Sequence, residues 1–280
     1  MAASLVAMNT DMQKAQEIPG PGHAEARRLA QTEYERVLAL LESLQGDDWT
    51  QPTYCTEWNV RDMAAHLAGS VTACTSIAQF RRVYMTNPYM KEMDEPADAA
   101  NRLQVEERSG LAASQVVDEF RRSGPTAIKN RDRLPWLLRA IPLPMGPGIG
   151  LKSVGYLMDV IYPRDEWMHR YDICAATGKE MVVTAEHDGR IVALVVEELA
   201  RKLQGKLGRR SVLLRLTGAA GGDYLLGSNS EPDCTLEMDV FTFALRSSGR
   251  ITVAQTQERI QVEGDRAMAQ WFLENLDVPY

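Results

Sequence analysis

Two stretches of the chain decide its fold: residues 58–69, WNVRDMAAHLAG, and residues 164–172, RDEWMHRYD. Each places a histidine among apolar and aromatic residues, where an imidazole has to be hydrogen-bonded or coordinated. On a helix of 3.6 residues per turn, Asp165 and His169 lie about 40° apart on one face. A catalytic metal ion commonly takes three protein ligands and leaves one position open. His66 from another helix would complete such a set.

The same spacing also has a plainer interpretation. His66 would then be a core histidine bonded to a backbone carbonyl, and Asp165 and His169 would be a solvated helical pair. Spacing alone does not decide between the two, because most histidines bind no metal. The acidic ligand has an alternative as well, since Glu166 lies three residues before His169 and can reach the same side of a helix.

Hydrophobic periodicity predicts a bundle of four long helices in the first two thirds of the chain. An Asn59–Asp62 cap predicts the start of the second helix, and Gly124-Pro125 must bend or split the third. Pro163 predicts a kink or local widening in the fourth, beside the proposed ligands. The four helices are predicted over residues 24–44, 59–84, 114–134 and 153–176, with a short helix at 97–108.

The pattern changes after residue 180. A helix over residues 186–207 is followed by short alternating runs that predict strands, then a helix, a strand and a final helix. The chain is therefore predicted to be α+β and mostly α. The predicted parts are a loose lead-in over 1–22, a helical bundle over 23–180 and a small α+β domain over 181–280. The Pro/Gly-rich stretch 139–150, RAIPLPMGPGIG, is predicted as a loop near the site mouth or as a linker.

Composition limits the classes of function. Hydrophobic residues make up 45% and charged residues 25% of the 280 residues, as in an ordinary globular protein. The net charge of −7 argues against a nucleic-acid or anionic-membrane partner, and no apolar run is long enough to span a membrane. The first residues lack signal-peptide features, which predicts a cytoplasmic protein. Four cysteines without C-x-x-C spacing predict reduced thiols, and Cys55 is expected to pack under the second helix.

The stretches DDWTQPTYCTEWNVRDMAAHLAG and RDEWMHRYDICAATG resemble the two signatures of the mycothiol-dependent maleylpyruvate isomerase family. The resemblance implies a DinB-like four-helix bundle followed by a sterol-carrier-like C-terminal domain. It also implies that His66, Asp165 and His169 bind zinc or another divalent metal. The characterised isomerase has Glu where this chain has Asp165, which leaves Glu166 open as the acidic ligand.

The resemblance further implies a small thiol, mycothiol, as cofactor and a small electrophile as substrate. Arg250 matches the position where the family places a cleft-facing arginine, and an arginine fork suits a carboxylate substrate. The implied function is a mycothiol-dependent transferase or isomerase. Two alternatives are a metal-dependent hydrolase that activates water and a catalytically inactive protein that binds small molecules. The sequence does not distinguish a monomer from a dimer.

Overall fold

The computed structural model describes residues 12–145 and 150–280, which form two compact units. A helical unit comprises residues 21–182 together with 279–280, and the described part of a sheet unit comprises residues 12–20 and 183–278. The predicted α+β class with a helical majority is confirmed. Among the described residues, no helix is long and apolar enough to cross a lipid bilayer.

The elements follow the predicted order. The helices are α1 (His23–Ser43), α2 (Val60–Ala73), α3 (Ile77–Tyr84), α4 (Pro96–Glu106), α5 (Ala113–Asp132), α6 (Trp136–Arg139), α7 (Val154–Tyr156), α8 (Tyr162–Thr177), α9 (Arg190–Leu207), α10 (Val240–Ser247), α11 (Val253–Gln257) and α12 (Arg266–Asn275). The strands are β1 (Gln13–Lys14), β2 (Pro142–Pro144), β3 (Leu151–Ser153), β4 (Ser211–Thr217), β5 (Gly222–Gly227), β6 (Cys234–Asp239) and β7 (Gln261–Gly264).

Four helices form the bundle of the helical unit. Helix α1 contacts α5 and α8, and α2 contacts α5 and α8 as well. Their apolar faces meet in one core that includes the buried side chains of Leu41, Leu67, Phe120 and Ile173. Removing this apolar surface from water is the main stabilisation of the unit. The predicted bundle and its first helix are confirmed.

The second predicted helix is too long. It ends at Ala73, and α3 begins only after Ser76, whose side chain accepts a hydrogen bond from the Gln79 amide. In between, the Thr75 hydroxyl donates to the Thr72 carbonyl at 2.7 Å. Short hydroxyl side chains compete in this way for backbone groups and favour helix ends. Apolar periodicity continues across the break, which is why the pattern predicted a single helix.

The predicted split of the third helix is wrong, because α5 continues through Pro125. Proline has no N–H, so the Arg121 carbonyl four residues earlier loses its donor within the helix. The Tyr34 hydroxyl of α1 donates to that carbonyl at 3.0 Å. Gly124 makes the approach possible, since a Cβ there would lie 1.9 Å from Cε2 of Tyr34. The Gly-Pro pair therefore accommodates a neighbouring side chain rather than ending the helix.

The fourth predicted helix is confirmed, including its widening. The Ser153 side chain accepts from the Tyr156 amide at 3.1 Å and caps α7. A π-helical turn, Leu157–Ile161, then leads into α8. Pro163 in the first turn of α8 withholds the donor that a regular helix would supply. Gly178, with φ +68°, ends the helix.

The stretch 139–150 is not simply a loop. Strands β2 and β3 form an antiparallel hairpin in which Pro142 pairs with Ser153 and Pro144 with Leu151. Residues 146–149 lie outside the described part of the chain. Proline is tolerated in such a hairpin because an edge strand needs only some of its amides.

The sheet unit holds a five-stranded mixed sheet in the order β1-β5-β4-β6-β7. Strand β4 pairs antiparallel with β5 and parallel with β6, with Leu214 opposite Tyr224 and Leu236. Helix α9 contacts β5, and α12 contacts β6 and β7. The predicted strands and flanking helices are confirmed, whereas α11 was not predicted.

The predicted lead-in is partly ordered. Residues 1–11 of it lie outside the described residues, but Gln13 and Lys14 pair parallel with Tyr224 and Leu225 of β5. Ala15 follows and is buried. An edge strand offers unpaired N–H and C=O groups that a short segment can satisfy, so the description as loose is wrong for residues 13–15.

Candidate metal centre

A cap at the start of α2 fixes the position of His66. The Asn59 side chain accepts from the Asp62 amide at 2.9 Å, and the Asp62 carboxylate accepts from the Asn59 amide at 3.3 Å. This reciprocal arrangement sets the first helical residue at Val60. His66 then falls in the second turn and is only 3% exposed. The predicted cap is confirmed.

The three predicted ligands come together in the helical unit. Asp165 and His169 are one turn apart on α8, and His169 Nε2 lies 3.3 Å from Asp165 Oδ1. His66 Nε2 on α2 lies 3.2 Å from the other oxygen, Asp165 Oδ2. The ligand atoms of all three residues lie within 4.8 Å of one another. The carboxylate therefore stands between the two imidazoles, and the three donor groups point at a common volume.

Electrostatics in this cluster favour an ionised Asp165. Burial alone would raise the pKa of the Asp165 carboxyl, but the neighbouring His66 and His169 outweigh burial and hold the pKa well below its usual range. Burial would likewise lower the pKa of His169, yet Asp165 and Asp172 raise it from 6.5 to about 9. In the metal-free protein, His169 thus carries a proton at neutral pH that a metal ion has to displace.

Asp172 is a site residue that the sequence analysis did not identify. Its side chain is fully buried, and Oδ2 lies 3.2 Å from Nδ1 of His169. A carboxylate in this position orients the imidazole and fixes which nitrogen carries the proton. The signal was present in the sequence, since Asp172 follows His169 by three residues on one helical face.

The loop before α2 adds two more residues. The Trp58 ring packs against both imidazoles, at centroid distances of 5.1 Å to His66 and 5.9 Å to His169. Cys55 was set aside as a packing residue, but its sulfur lies within 4.8 Å of ligand atoms of His169 and Asp172. Neither contact follows from helical spacing, because residues 55 and 58 precede the helix.

The side chains of the two candidate acidic ligands, Asp165 and Glu166, point to different sides of α8. Glu166 is buried on another side of α8, with Oε1 3.9 Å from Nη2 of Arg131. Burial raises the pKa of Glu166 to about 8, so its side chain is mostly neutral at pH 7. Asp165, and not Glu166, belongs to the cluster with His66 and His169.

Arg250 lies in the sheet unit, just beyond α10. It is half-buried, and its amide donates to the Leu245 carbonyl at 2.8 Å. The neighbouring Arg246 uses its guanidinium within the unit, donating through Nε and Nη2 to the Leu273 carbonyl at 3.1 and 2.8 Å. Arg246 is therefore a structural residue of the sheet unit.

Comparisons with known proteins identify a family and a similar fold. The family model described as the mycothiol maleylpyruvate isomerase N-terminal domain matches residues 30–174, more than half of the chain. Two solved structures are similar: the mycothiol-dependent maleylpyruvate isomerase and a histidine-to-alanine mutant of that enzyme. Each has 12% identity and a TM-score of 0.57, with 90% of this chain and 96% of that chain covered. Identity this low shows the fold alone. The curated proteins give no match.

Proposed function

The chain belongs to the mycothiol maleylpyruvate isomerase family, and on this basis we propose that it is a metal- and mycothiol-dependent isomerase or transferase. Its ligands would be His66, Asp165 and His169, and its substrate a small electrophile. The convergence of the three donor groups within 4.8 Å is the observation that carries the proposal.

The donor set suits a divalent metal, and we propose zinc. Two imidazoles and one carboxylate leave a divalent ion with about one unit of positive charge and an open position. Nε2 of His66 and Nε2 of His169 lie 3.2 and 3.3 Å from the two oxygens of Asp165, so these donors can reach one ion. Zinc accepts sulfur more readily than hard cations such as magnesium do. A zinc ion held there would supply the charge that keeps a thiol in its thiolate form at neutral pH.

The surrounding residues have separate roles in this proposal. Asp165 contributes the negative charge of the donor set, because its carboxyl stays ionised. Asp172 accepts the Nδ1 proton of His169, so that Nε2 remains available on the side of Asp165. Trp58 covers one side of both rings. Its apolar surface reduces the access of water, which strengthens the electrostatic interactions beneath it.

We propose Arg250 as the residue that binds a carboxylate of the substrate, on the strength of the family resemblance. A guanidinium pairs with a carboxylate through two parallel hydrogen bonds. Arg250→Lys would keep the charge and lose the fork, so a raised KM for a carboxylate substrate is the expected effect.

Turnover in the presence and absence of mycothiol tests the proposal. The zinc-loaded protein, assayed with maleylpyruvate and other small electrophiles, should convert substrate only when mycothiol is added. His66→Ala should abolish that activity together with bound zinc. His23→Ala, at an exposed histidine, is the matched control and should change neither. Full turnover without thiol, with solvent oxygen in the product, would show instead that the site activates water. Absence of bound metal in the purified protein and after zinc addition would contradict both enzymatic functions.

A further inference from the structure

One stretch of the chain departs sharply from its overall charge. Residues 133–158 contain Arg133, Arg139 and Lys152 but no aspartate or glutamate. The chain has 38 acidic residues among 280, so an even distribution would place three or four of them in these 26 positions. The net charge of −7 therefore conceals a basic segment within the helical unit.

The same segment exposes a concentration of apolar side chains, here called the apolar patch. Its members are 42–74% exposed: Trp136, Leu137, Leu138, Ile141 and Leu151. They are five of the ten large apolar side chains that are exposed among the described residues, and they fall within 16 consecutive positions. The other five are dispersed along the chain. Single exposed apolar residues are ordinary, whereas a concentration of them marks an interaction surface.

Local structure explains why these side chains are not buried. Pro135 starts α6, which has a single turn and cannot form an inward-facing apolar stripe. The backbone is nevertheless fixed, because the Val154 amide donates to the Ile141 carbonyl at 2.9 Å. The Gly155 backbone lies close to that of Arg139, since a Cβ at Gly155 would be 3.2 Å from the Arg139 carbonyl oxygen. The patch is thus held on the bundle by backbone contacts while its side chains face outward.

The cations of the segment differ in their availability. Arg139 forms an ion pair with Asp159, and Nζ of Lys152 lies over the Tyr156 ring at 4.7 Å. Arg133 is exposed at the end of α5. The segment therefore presents positive charge from Arg133 and Lys152, whereas the charge of Arg139 is balanced by Asp159.

We propose that the apolar patch docks the protein on an anionic lipid surface. Exposed tryptophan and leucine beside arginine and lysine are the combination that inserts at the headgroup boundary of a membrane, and cations near an anionic leaflet add electrostatic attraction. A second copy fits less well, because a two-fold interface brings the same patch together from both subunits. Two surfaces that both carry Arg133 and Lys152 would then meet. The proposal does not depend on the activity proposed above.

Vesicle flotation with the full chain tests this docking. The protein is mixed with vesicles of phosphatidylcholine and phosphatidylglycerol at 7:3, and with phosphatidylcholine vesicles alone. The wild type should float with the anionic vesicles and much less with the neutral ones, and 0.5 M NaCl should reduce the bound fraction because salt screens the charges. The double variant Trp136→Ser/Leu137→Ser should lower the partition coefficient at least tenfold. Arg133→Glu should lower it as well, without loss of an apolar group.

Val182→Ser is the matched control, because Val182 is 62% exposed and Leu137 63%. It should bind vesicles as the wild type does. The variants remove exposed side chains, so thermal unfolding should be unchanged and loss of binding would not reflect loss of the fold. Absent binding by the wild type would overturn the proposal, and so would equal binding by the double variant. A dimer in sedimentation experiments that the double variant abolishes would assign the patch to a second copy and overturn it too.

Discussion

Zinc binding to the metal-free protein should release close to one proton at pH 7.5, and this release should depend on Asp165. The proton comes from His169, whose pKa the two neighbouring carboxylates raise to about 9. A histidine binds metal only in its neutral form, so the ion displaces that proton. Asp165→Asn removes one of these carboxylates, so burial is opposed by Asp172 alone. The pKa of His169 should therefore fall. The variant should release clearly less than one proton.

The size of the effect follows from the pKa of His169. Its increase from 6.5 to about 9 corresponds to about 3 kcal/mol, at roughly 1.4 kcal/mol per pH unit. A raised pKa stabilises the metal-free folded state fully below pH 6.5, and this contribution is lost as the pH rises through about 9. The apparent zinc affinity should instead increase with pH between 6.5 and about 9, because less proton has to be displaced. It should rise by up to about tenfold per pH unit until His169 is neutral.

Isothermal titration calorimetry in buffers of different ionisation enthalpy measures the proton count directly. The wild type and Asp165→Asn are compared at pH 6.5, 7.5 and 9.5, each after removal of metal by a chelator. Asp165→Asn should also bind zinc at least a hundredfold more weakly, because it lacks a charged ligand. A wild-type proton count near zero at pH 7.5 would refute the electrostatic argument. Unchanged zinc affinity in Asp165→Asn would refute the ligand assignment.

Three further results are expected. His66→Ala should lose zinc while remaining folded, whereas Glu166→Gln should keep it, because a mostly neutral buried acid is replaced by a neutral amide; elemental analysis after gel filtration measures both. Asp172→Ala should weaken zinc binding about 10- to 100-fold, because the His169 ring is no longer oriented. Asp172→Asn retains a hydrogen-bond acceptor and should bind zinc more tightly than Asp172→Ala; a competition assay measures both affinities. Tyr34→Phe should destabilise the protein by about 0.5–1.5 kcal/mol in urea, because it removes the hydrogen bond to the Arg121 carbonyl; the cost should shrink in a Pro125→Ala background, where alanine supplies the missing N–H.

Contacts within one helix were the part of the site that sequence could predict. Asp165 and His169 share a face of α8 because the helical repeat requires it, and the Asn59–Asp62 cap fixed the position of His66 within α2. The helical repeat also places Asp172 on the face of His169, although the sequence analysis did not identify its role. The choice between Asp165 and Glu166 depended on the rotation of α8 about its axis. Helical spacing alone allowed both residues, whereas in the structure Glu166 packs toward Arg131 and Asp165 lies beside His66 and His169.

Errors in the predicted fold arose where a side chain from elsewhere satisfied the backbone. Gly124-Pro125 was predicted to bend or split the third helix because proline removes a helical hydrogen bond. The missing donor is supplied by Tyr34, 91 positions away from Pro125 in the chain, and no local pattern reveals it. The opposite error occurred at residues 74–76, where hydroxyl groups ended a helix that apolar periodicity would have continued.

The meeting of His66 with Asp165 across 99 positions depends on close helix packing rather than on the site residues themselves. Gly69 lies one turn beyond His66 on α2, and a Cβ there would lie 2.6 Å from Cβ of Gln104 on α4. The absence of a side chain at Gly69 therefore allows α2 to approach α4 closely. A three-ligand site on two helices therefore constrains more of the sequence than its three ligands. Substitutions that move α2 should weaken zinc binding without touching a ligand, because a metal site tolerates displacements of only a few tenths of an ångström.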